Sequence, residues 1–410
     1  MSHFQEKTIA ELIAEKAILA IQDGNHGEKH PKSTDYVEEG IHFVMANDLN
    51  FGTVDLKGCS KIPESLASKL RIGFSVEGDV LLTHKGTIGN VAIVGSIAPY
   101  IMLTPQVTYY RTDNEKLSNK YLAYAFREPN FQKRMKSLAQ QSTRPYIGIT
   151  AQRNLKILWT DRERQESVTE IISKYDDLIE NNKRRIELLE ESARQLYKEW
   201  FVRFRFPGHE HVKIIDGVPE GWRITTLGEV SITNALSHKA KELPEEINYI
   251  DISSVSTGRI ETKSRMPAEE APGRARRIAQ HGDVIWSNVR PNLKAYALVL
   301  HPENEDVFST GFTVISGMSI PYSFLYNFTT TDNFVSHLVN HTTGASYPAV
   351  RPQDFERAEL LLPPRPLLDQ FQEYCEPNYE LVYILAEQSS QLAAARDVLL
   401  PKLMSGEIAV

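Results

Sequence analysis

The chain has 410 residues, 41% hydrophobic and 24% charged, which is enough for two or three folded domains of average composition. No apolar run reaches the roughly 18 residues of a membrane-spanning helix. The amino terminus, MSHFQEKTIAELIAEK, predicts an amphipathic helix rather than a signal peptide. With only Cys59 and Cys375, a disulfide framework is not expected. We therefore predict a cytoplasmic protein with no membrane partner.

The net charge of −7 disfavours a nucleic-acid partner, but the distribution of charge reverses that impression. Residues 161–200 carry eight Lys/Arg against eleven Asp/Glu, and residues 366–410 carry two against seven, which leaves +1 on the other 325 residues. Segments 116–156 and 274–294 hold nine and five basic residues against one acidic residue each. Local patches govern phosphate attraction, because screening limits its reach to about 8 Å. For either patch alone, ordinary solvated surface charge is an equally weighted alternative.

The first 160 residues predict a mixed domain. Short β-branched and aromatic runs, IHFVMA, DVLLTH, NVAIV and VTYYR, indicate strands, and residues 117–139 form a helical stretch after them. The fold class predicted is therefore α+β with small twisted sheets.

A long helix follows over residues 161–206. Its apolar positions alternate spacings of four and three, the heptad pattern of a coiled coil, with Asn182 as a polar residue on the seam that fixes register. The predicted seam comprises Val168, Ile172, Tyr175, Ile179, Asn182, Ile186, Leu189, Ala193, Leu196 and Trp200.

A break at 204–230, rich in Pro and Gly, separates this helix from a second domain at 207–363. Its predicted strands are WRITTL, INYIDIS, DVIWSNV, AYALVL and FTVIS, followed by a helical stretch at 322–340. The second domain is thus predicted to have the same α+β composition as the first.

A second long helix is predicted at 364–410, with a weaker seam that Pro377 should kink or restart. We expect the two helices to pair with each other in antiparallel fashion, and the alternative is that each packs on its own domain. The predicted second seam comprises Leu367, Phe371, Tyr374, Asn378, Leu381, Leu385, Gln388, Leu392, Ala395 and Leu399.

The two halves are copies of one plan. GDVLLTHKGTIGNVAIV at 78–94 matches GDVIWSNVRPNLKAYALV at 282–299, and each reads as a hairpin. Three further echoes keep the same order and nearly the same distance: 38–49 with 245–255, 145–152 with 346–353, and 196–201 with 399–404. Four echoes spaced by roughly 200 residues indicate an internal duplication.

Motifs for catalysis are missing. The sequence has no phosphate-binding loop ending in Gly-Lys-Ser/Thr, no Asn/Asp-Pro-Pro-aromatic tetrapeptide of an adenine methyltransferase, and no Cys-x-x-Cys or His-Glu-x-x-His. His26 and His30 have a ligand-like spacing in a Gly-rich loop. A metal site and a polar binding contact remain open there, with an ordinary turn favoured.

What remains are polar loops at matched places in both copies. Arg, Asn and Gln can read base edges, while Ser, Thr and Lys hold phosphates. Surface polarity without a ligand is the alternative at each position. The candidate DNA-binding residues are Lys85, Thr87, Asn90, Gln141, Ser142, Arg144 and Tyr146 in the first copy, and Arg274, Arg277, Asn288, Arg290, Asn292, Lys294, Thr343, Ser346 and Tyr347 in the second.

On these features the whole chain resembles the specificity subunit of type I restriction–modification systems. PEGWRITTLGEV at 219–230 is similar to the family's entry to a target recognition domain, 162–204 to its central helix, and LLPKLMSGEI at 399–408 to its ending. The chain departs from the pattern near residue 1, where no WRITTLGEV-like entry is evident, and in its Pro-interrupted second helix.

The resemblance implies a non-catalytic subunit whose domains 1–160 and 207–363 each read half of a split double-stranded DNA target. The helices would act as a ruler of roughly 48 Å, about 14 base pairs. The implied partners are two methyltransferase subunits and restriction/translocase subunits. S-adenosylmethionine, ATP and Mg²⁺ would be bound by those partners, and no cofactor or metal by this chain. The alternatives are a stand-alone two-domain DNA-binding regulator and an enzyme, a nuclease or methyltransferase with unusual motifs.

Overall fold

The computed structural model describes residues 4–27, 29–50, 52–140, 145–239, 241–344 and 347–408. The chain divides into two compact units, residues 1–180 with 389–410, and residues 181–388. Among the described residues, no helix is both long and apolar enough to cross a membrane.

The first unit contains a set of short strands and helices that precede the first long helix. The strands are β1 (Gln5–Thr8), β2 (Ile18–Asp23), β3 (Ile41–Val44), β4 (Leu49–Asn50), β5 (Thr53–Val54), β6 (Lys61–Ile62), β7 (Phe74–Ser75), β8 (Val80–Lys85), β9 (Thr87–Ile93), β10 (Ile101–Leu103), β11 (Val107–Thr112) and β12 (Lys156–Trp159). The helices are α1 (Ile9–Ala14), α2 (Glu64–Ala67), α3 (Asn119–Arg127), α4 (Pro129–Ala139) and α5 (Ile149–Arg153).

Helix α6 (Arg162–Tyr197) follows and ends in a π-helical turn, Lys198–Val202. The strands after it are β13 (Ile214–Ile215), β14 (Val218–Pro219), β15 (Arg223–Thr226), β16 (Ser231–Thr233), β17 (Glu246–Ile250), β18 (Val255–Ser256), β19 (Arg259–Ile260), β20 (Ser264–Pro267), β21 (Ala275–Arg277), β22 (Val284–Ser287), β23 (Tyr296–Leu298), β24 (Asp306–Ser309), β25 (Phe312–Gly317) and β26 (Glu359–Leu362). The helices are α7 (Leu227–Val230), α8 (Tyr322–Thr329), α9 (Asp332–Asn340), α10 (Pro352–Glu356) and α11 (Arg365–Ser405).

The predicted duplication is confirmed by the order of the strands. The first copy has the four-stranded sheets β2-β11-β8-β9 and β6-β3-β10-β7, and the second has β16-β25-β22-β23 and β20-β17-β24-β21. In each copy the second sheet contains one parallel pair, β3 with β10 and β17 with β24. Both predicted GDV hairpins form, because β8 pairs with β9 and β22 with β23 in antiparallel register.

Each GDV strand is buried on both faces, which is why it reads as a continuous apolar run. Val80 and Leu82 of β8 belong to the core that includes α3 and α4, whereas Leu81 belongs to the core between the two sheets. In β22, Val284 and Trp286 point to the helical side and Ile285 to the other side. The alternation of a strand therefore positions each hairpin between helices and a second sheet.

The predicted amino-terminal helix is wrong over its first half. Gln5–Thr8 is the strand β1, which pairs antiparallel with β12, just as β15 pairs with β26 in the second copy. Thr8 then caps α1, with its hydroxyl accepting from the N–H of Glu11 and the Glu11 carboxylate accepting from the N–H of Thr8. An entry element equivalent to WRITTLGEV is therefore present near residue 1, contrary to the sequence-based expectation.

Both helical stretches after the sheets are confirmed, and each consists of two helices. In the first copy Glu128 ends α3 and caps α4, because its carboxylate accepts from the N–H of Phe131 at 2.9 Å and Pro129 occupies the first turn. In the second copy Thr331 caps α9 in the same way.

Seven of the ten positions of the first predicted seam are buried, and Tyr175, Leu189 and Leu196 are half-buried. Val168, Ile172, Asn182, Ile186 and Ala193 are all less than 9% exposed. Within the first unit, Val168 and Ile172 share a core cluster with residues 400–404 of α11. Residue 176 is ion-paired to residue 396, so the two helices run antiparallel there.

In the second unit the carboxyl end of α6 packs on α11 through aromatic rings. The Trp200 ring centroid lies 5.8 Å from that of Phe371, and the Phe201 ring centroid lies 4.9 Å from it. The predicted pairing of the two helices is thus present within each unit.

The predicted seam of α11 needs correction. Cys375 and Tyr379 are buried where Tyr374 and Asn378 were expected, and Tyr374 is 57% exposed. This part of α11 packs on α8 of its own domain as well as on α6, so its buried face follows the period of 3.6 of a surface helix. The restart predicted at Pro377 does not occur, since α11 continues unbroken from Arg365 to Ser405.

Candidate nucleic-acid interface

In the first copy the β8–β9 hairpin ends in a turn at Gly86 that a second segment covers. The N–H of Gly86 donates to the carbonyl oxygen of Pro145 at 3.1 Å, and the N–H of Ile147 donates to that of His84 at 3.0 Å. Lys85 and Thr87 flank the turn and are exposed, and Tyr146 is 47% exposed beside them. We call Lys85, Thr87 and Tyr146 the first tip.

The second copy builds the same arrangement with other side chains. The N–H of Arg290 donates to the carbonyl oxygen of Pro348 at 2.8 Å, and the N–H of Val350 donates to that of Asn288 at 2.9 Å. Arg290 adopts a left-handed conformation with φ of 49°, which turns the chain sharply after β22. This loop and the facing segment expose four of the predicted residues, here called the second tip: Arg290, Asn292, Thr343 and Tyr347.

The second tip carries a cation stacked on an aromatic ring. The guanidinium carbon of Arg290 lies 5.1 Å from the centroid of the Tyr347 ring, which is 70% exposed. Tyr347 is held by a small loop, because Thr343 and Ala349 exchange backbone hydrogen bonds of 2.9 and 3.0 Å. No carboxylate is paired with Arg290 in the part of the chain that the structure describes.

A polar residue supports each tip from below, and it is buried in the first copy and half-buried in the second. In the first copy His84 lies with its Nδ1 3.1 Å from the Ile147 carbonyl oxygen and its Nε2 3.6 Å from Asp23. Burial lowers the pKa of His84 despite the nearby Asp23 carboxylate, which favours the neutral form of the ring. In the second copy Asn288 takes this place, and its side-chain oxygen accepts from the Thr313 hydroxyl at 2.7 Å.

Three predicted DNA-binding residues have partners within the chain. Asn288 is the support just described, and Asn90 donates to the Leu49 carbonyl oxygen at 3.5 Å through its side-chain amide. The Lys294 ammonium is 2.9 Å from the Asp332 carboxylate. The DNA-binding role of these three residues stays a prediction, and the ion pair of Lys294 lies at the surface.

Arg277 ends strand β21 in the other sheet of the second copy, and Arg274 lies in the turn just before that strand. Arg274 is exposed, and its carbonyl oxygen accepts from Thr310 at 2.8 Å, beside the turn to which Asn288 also bonds. Arg277 is half-buried and donates to the Ser237 hydroxyl at 3.0 Å, and burial lowers its pKa. Arg274 can therefore extend the second tip, while Arg277 has a partner within the chain and its DNA contact stays a prediction.

Four predicted residues, Gln141, Ser142, Arg144 and Ser346, lie outside the described residues. The basic segment 116–156 is less free than its sequence suggests. Arg134 and Lys156 are both ion-paired to Glu6. Arg127 is ion-paired to Asp176. Three of the nine basic residues of this predicted patch are therefore ion-paired to carboxylates of distant segments.

The pair His26 and His30 fits an ordinary turn. The Nδ1 of His26 lies 3.2 Å from the Gly24 carbonyl oxygen, and the Nδ1 of His30 lies 3.2 Å from that of Asn25. The His30 ring also packs against Phe43, with centroids 5.5 Å apart. Both rings therefore have local partners.

Two residues at the tips were missed by the sequence reasoning. Gln106, in the turn between β10 and β11, supplies the carbonyl oxygen that binds the N–H of His84 at 2.9 Å, so its side chain lies close to Gly86. Leu293 is 61% exposed between Asn292 and Lys294. No local pattern marks Gln106, but an apolar residue inside a polar loop is a signal that could have identified Leu293.

The architecture defines a class: a duplicated α+β protein whose two copies present different polar tips on the same strand order, each copy followed by a long helix. Residues 11–191 match the family described as type I restriction modification DNA specificity domain. The chain is 24% identical to the type I restriction enzyme MjaIX specificity subunit of Methanocaldococcus jannaschii, over 92% of this chain and 89% of that protein. It is 23% identical to the MjaVIII specificity subunit of the same organism, over 82% and 80%.

The crystal structure of the type I restriction–modification S subunit from M. genitalium has the same fold. It aligns with a TM-score of 0.57 and 16% identity, covering 98% of this chain and 96% of that one. The chain therefore carries a match to the type I restriction modification DNA specificity domain in its first half, and it is similar over nearly its whole length to a type I specificity subunit. Specificity subunits of this family are not themselves catalytic.

Proposed function

We propose that this chain reads a split double-stranded DNA target, with the first tip on one half-site and the second tip on the other. The observation that carries the proposal is the matched construction of the tips. Both use the same strand order and the same pair of backbone hydrogen bonds, yet expose different side chains, Lys85 and Tyr146 in one and Arg290 and Tyr347 in the other. Two readers of different sequences need a constant framework with variable ends.

The exposed groups suit DNA. Arg290 can donate two hydrogen bonds to guanine or contact a phosphate. Asn292 can form two hydrogen bonds with adenine. Lys85 and Thr87 are suited to phosphate oxygens. The stack on Tyr347 limits the orientations of Arg290, which lowers the entropy lost when it binds.

We further propose that the chain assembles with two methyltransferase subunits and with restriction/translocase subunits. In that complex the partners would supply S-adenosylmethionine, ATP and Mg²⁺ chemistry, while this chain supplies sequence recognition. The acidic surfaces of the two long helices, with net charges of −3 over 161–200 and −5 over 366–410, are candidates for contact with basic surfaces of the methyltransferase subunits.

Methylome sequencing of a host that expresses the chain with its methyltransferase subunit tests the proposal. We expect a bipartite methylated target, and exchange of residues 230–362 for those of another specificity subunit should change one half only. Methylation at a continuous site, or a change in both halves, would contradict the assignment of one domain to each half-site.

A point variant narrows the test to the tip. Arg290→Ala should relax methylation at positions of one half-site, whereas the matched control Arg265→Ala, which removes an exposed arginine from β20, should leave the target unchanged. Equal effects of the two variants would count against the second tip. Failure of the chain to co-purify with a methyltransferase subunit would favour a stand-alone regulator instead.

A further inference from the structure

Two histidines and a glutamate from three separate segments meet on the second unit. His281 lies just before β22, His301 lies just after β23, and Glu380 lies on α11. One ligand atom from each can be chosen so that all three lie within 4.8 Å of one another. This cluster is unrelated to the tips and takes no part in the proposed DNA recognition.

The two imidazoles approach the two oxygens of one carboxylate. The Nε2 of His301 lies 2.7 Å from Oε2 of Glu380, and the Nε2 of His281 lies 3.9 Å from Oε1. Neighbouring rings position both histidines, with Tyr383 5.0 Å from His301 and Tyr322 5.6 Å from His281, centroid to centroid. The hydrogen bond to Glu380 explains the position of the His301 ring. The Nε2 of His281 is directed at the same carboxylate, but it lies beyond hydrogen-bond distance.

We propose that His281, His301 and Glu380 form a binding site for a divalent first-row transition metal, Zn²⁺ foremost. Two imidazole nitrogens and a carboxylate oxygen are ligands that Zn²⁺ accepts, with water in the remaining position. Zn–N and Zn–O bonds of about 2.0–2.1 Å place tetrahedral ligand atoms about 3.3 Å apart. The cluster therefore has to contract by about 1.5 Å, which rotation of the half-exposed imidazoles can supply.

Two contacts have to change when the metal binds. The 2.7 Å hydrogen bond between His301 and Glu380 is replaced by bonds from both groups to the metal. The backbone N–H of His301 donates to Nδ1 of the His281 ring at 3.3 Å, which is longer than a usual hydrogen bond of this kind. A metal on Nε2 moves the ring proton to Nδ1, so this weak hydrogen bond is lost and the His281 ring turns toward Glu380. Its length makes it a small opposing contribution compared with a metal–nitrogen bond.

The site would tie the ends of the β22–β23 hairpin to α11. His281 and His301 bracket the hairpin that carries the second tip, and Glu380 anchors both to the long helix. Because the metal binds the folded arrangement and not the unfolded chain in this form, it stabilises the second unit in proportion to the logarithm of its concentration.

The test uses the full chain, freed of metal by chelation, and titrates it with Co²⁺ while visible absorption is recorded. We expect saturation at one equivalent with the intensity of a low-coordinate N/O site. Zn²⁺ at about 100 times its Kd should raise the Tm of the second unit by about 5 to 10 °C. The variants His301→Ala and Glu380→Gln, whose folding is checked by circular dichroism, should lose both responses.

The matched control is His337→Ala with His341→Ala, which removes another close pair of histidines in this unit, with ring centroids 4.3 Å apart. This control should keep the Co²⁺ spectrum and the rise in Tm. The proposal is overturned if the wild-type chain gives no saturable spectrum, or if Glu380→Gln and His301→Ala bind Co²⁺ as the wild type does. Loss of the response in the His337/His341 control alone would assign the metal to α9 and likewise overturn it.

Discussion

Arg290 and Tyr347 stack although 57 positions separate them, with the guanidinium carbon 5.1 Å from the ring centroid. Neither side chain belongs to a regular element. The pair forms because the N–H of Arg290 is bonded to the Pro348 carbonyl oxygen, which fixes the Tyr347 segment beside the hairpin. The most exposed aromatic ring of the second tip is therefore coupled to its most exposed cation.

A double-mutant cycle measures this coupling in DNA binding. Arg290→Ala should weaken binding of the assembled complex to its target by about 1–3 kcal/mol, roughly 5- to 150-fold. Tyr347→Ala should cost less, because it removes the orientation of Arg290 and not its charge, and the coupling energy should be about 0.5–1 kcal/mol. Fluorescence anisotropy with a labelled duplex provides the affinities. Additive effects of the two substitutions would show that the stack is irrelevant to recognition.

A second prediction concerns Asp176, on which three side chains converge within the first unit. Its carboxylate accepts from Tyr124 at 2.9 Å, from Arg127 at 2.9 Å and from Arg396 at 2.7 Å, so it joins α3, α6 and α11. Asp176→Asn leaves two arginines without their shared anion and should lower the free energy of unfolding by roughly 3 kcal/mol. Urea denaturation measures this. The control Asp177→Asn, at the exposed neighbouring position, should change it by less than about 0.5 kcal/mol.

The Asp176 carboxylate also predicts in which direction stability changes at acid pH. Burial raises the pKa of Asp176, but hydrogen bonds and charge from Arg127 and Arg396 outweigh it and lower the pKa. A lowered pKa contributes stability that is present above the unfolded value near 4 and is lost as the pH falls through the folded pKa. We therefore expect the wild type to lose more stability than Asp176→Asn when the pH is lowered from 5 to about 3. Parallel curves for the two proteins would contradict this.

The duplication was predictable because the two copies keep their framework residues. Val80 and Val284 begin matched strands. Each follows a Gly-Asp pair that is identical in the two copies, so the match can be read directly from the sequence. The register of the covering segments was not predictable to the residue. The sequence echo aligns Tyr146 with Tyr347, whereas the hydrogen bonds to the hairpins match Pro145 with Pro348, two residues further along. A one-sided loop contact carries no periodicity from which register could be read.

The direction in which loop side chains point could not be predicted from the sequence either. Asn288 and Arg290 are two positions apart in one polar loop, yet the amide binds Thr313 inside the fold and the guanidinium is exposed. The difference depends on strand β25, whose position is set by long-range pairing. In the same way, Cys375 and Tyr379 of α11 are buried because α8 packs on them. The heptad pattern considers only the pairing of the two long helices, so it could not predict this contact.

A third prediction follows from a difference between the two Gly-Asp turns. Asp79 is buried and receives two hydrogen bonds of 2.8 Å from Arg111. At the matched place in the second copy Ser316 replaces the arginine, and burial raises the pKa of Asp283. Arg111→Ser should leave Asp79 without its cation and lower the free energy of unfolding of the first unit by about 2–3 kcal/mol.

Limited proteolysis in urea can follow the first unit separately. The control Lys116→Ser removes an exposed cation 4.0 Å from Asp113 and should change the unfolding midpoint little. Equal shifts of the unfolding midpoint in Arg111→Ser and Lys116→Ser would show that Arg111 does not stabilise the buried Asp79 carboxylate.

A fourth prediction concerns Asn182, the polar residue on the α6 seam, which is only 6% exposed. A buried amide among the apolar residues Ile179 and Ile186 costs stability but restricts the helices to one register. Asn182→Leu should therefore raise the Tm by a few degrees, while the exposed neighbour Asn181→Leu should not. The gain should come with a loss of register, measured as a second population of distances between spin labels on Glu170 and Ser405. A single unchanged distance distribution in the more stable variant would show that Asn182 does not set the register.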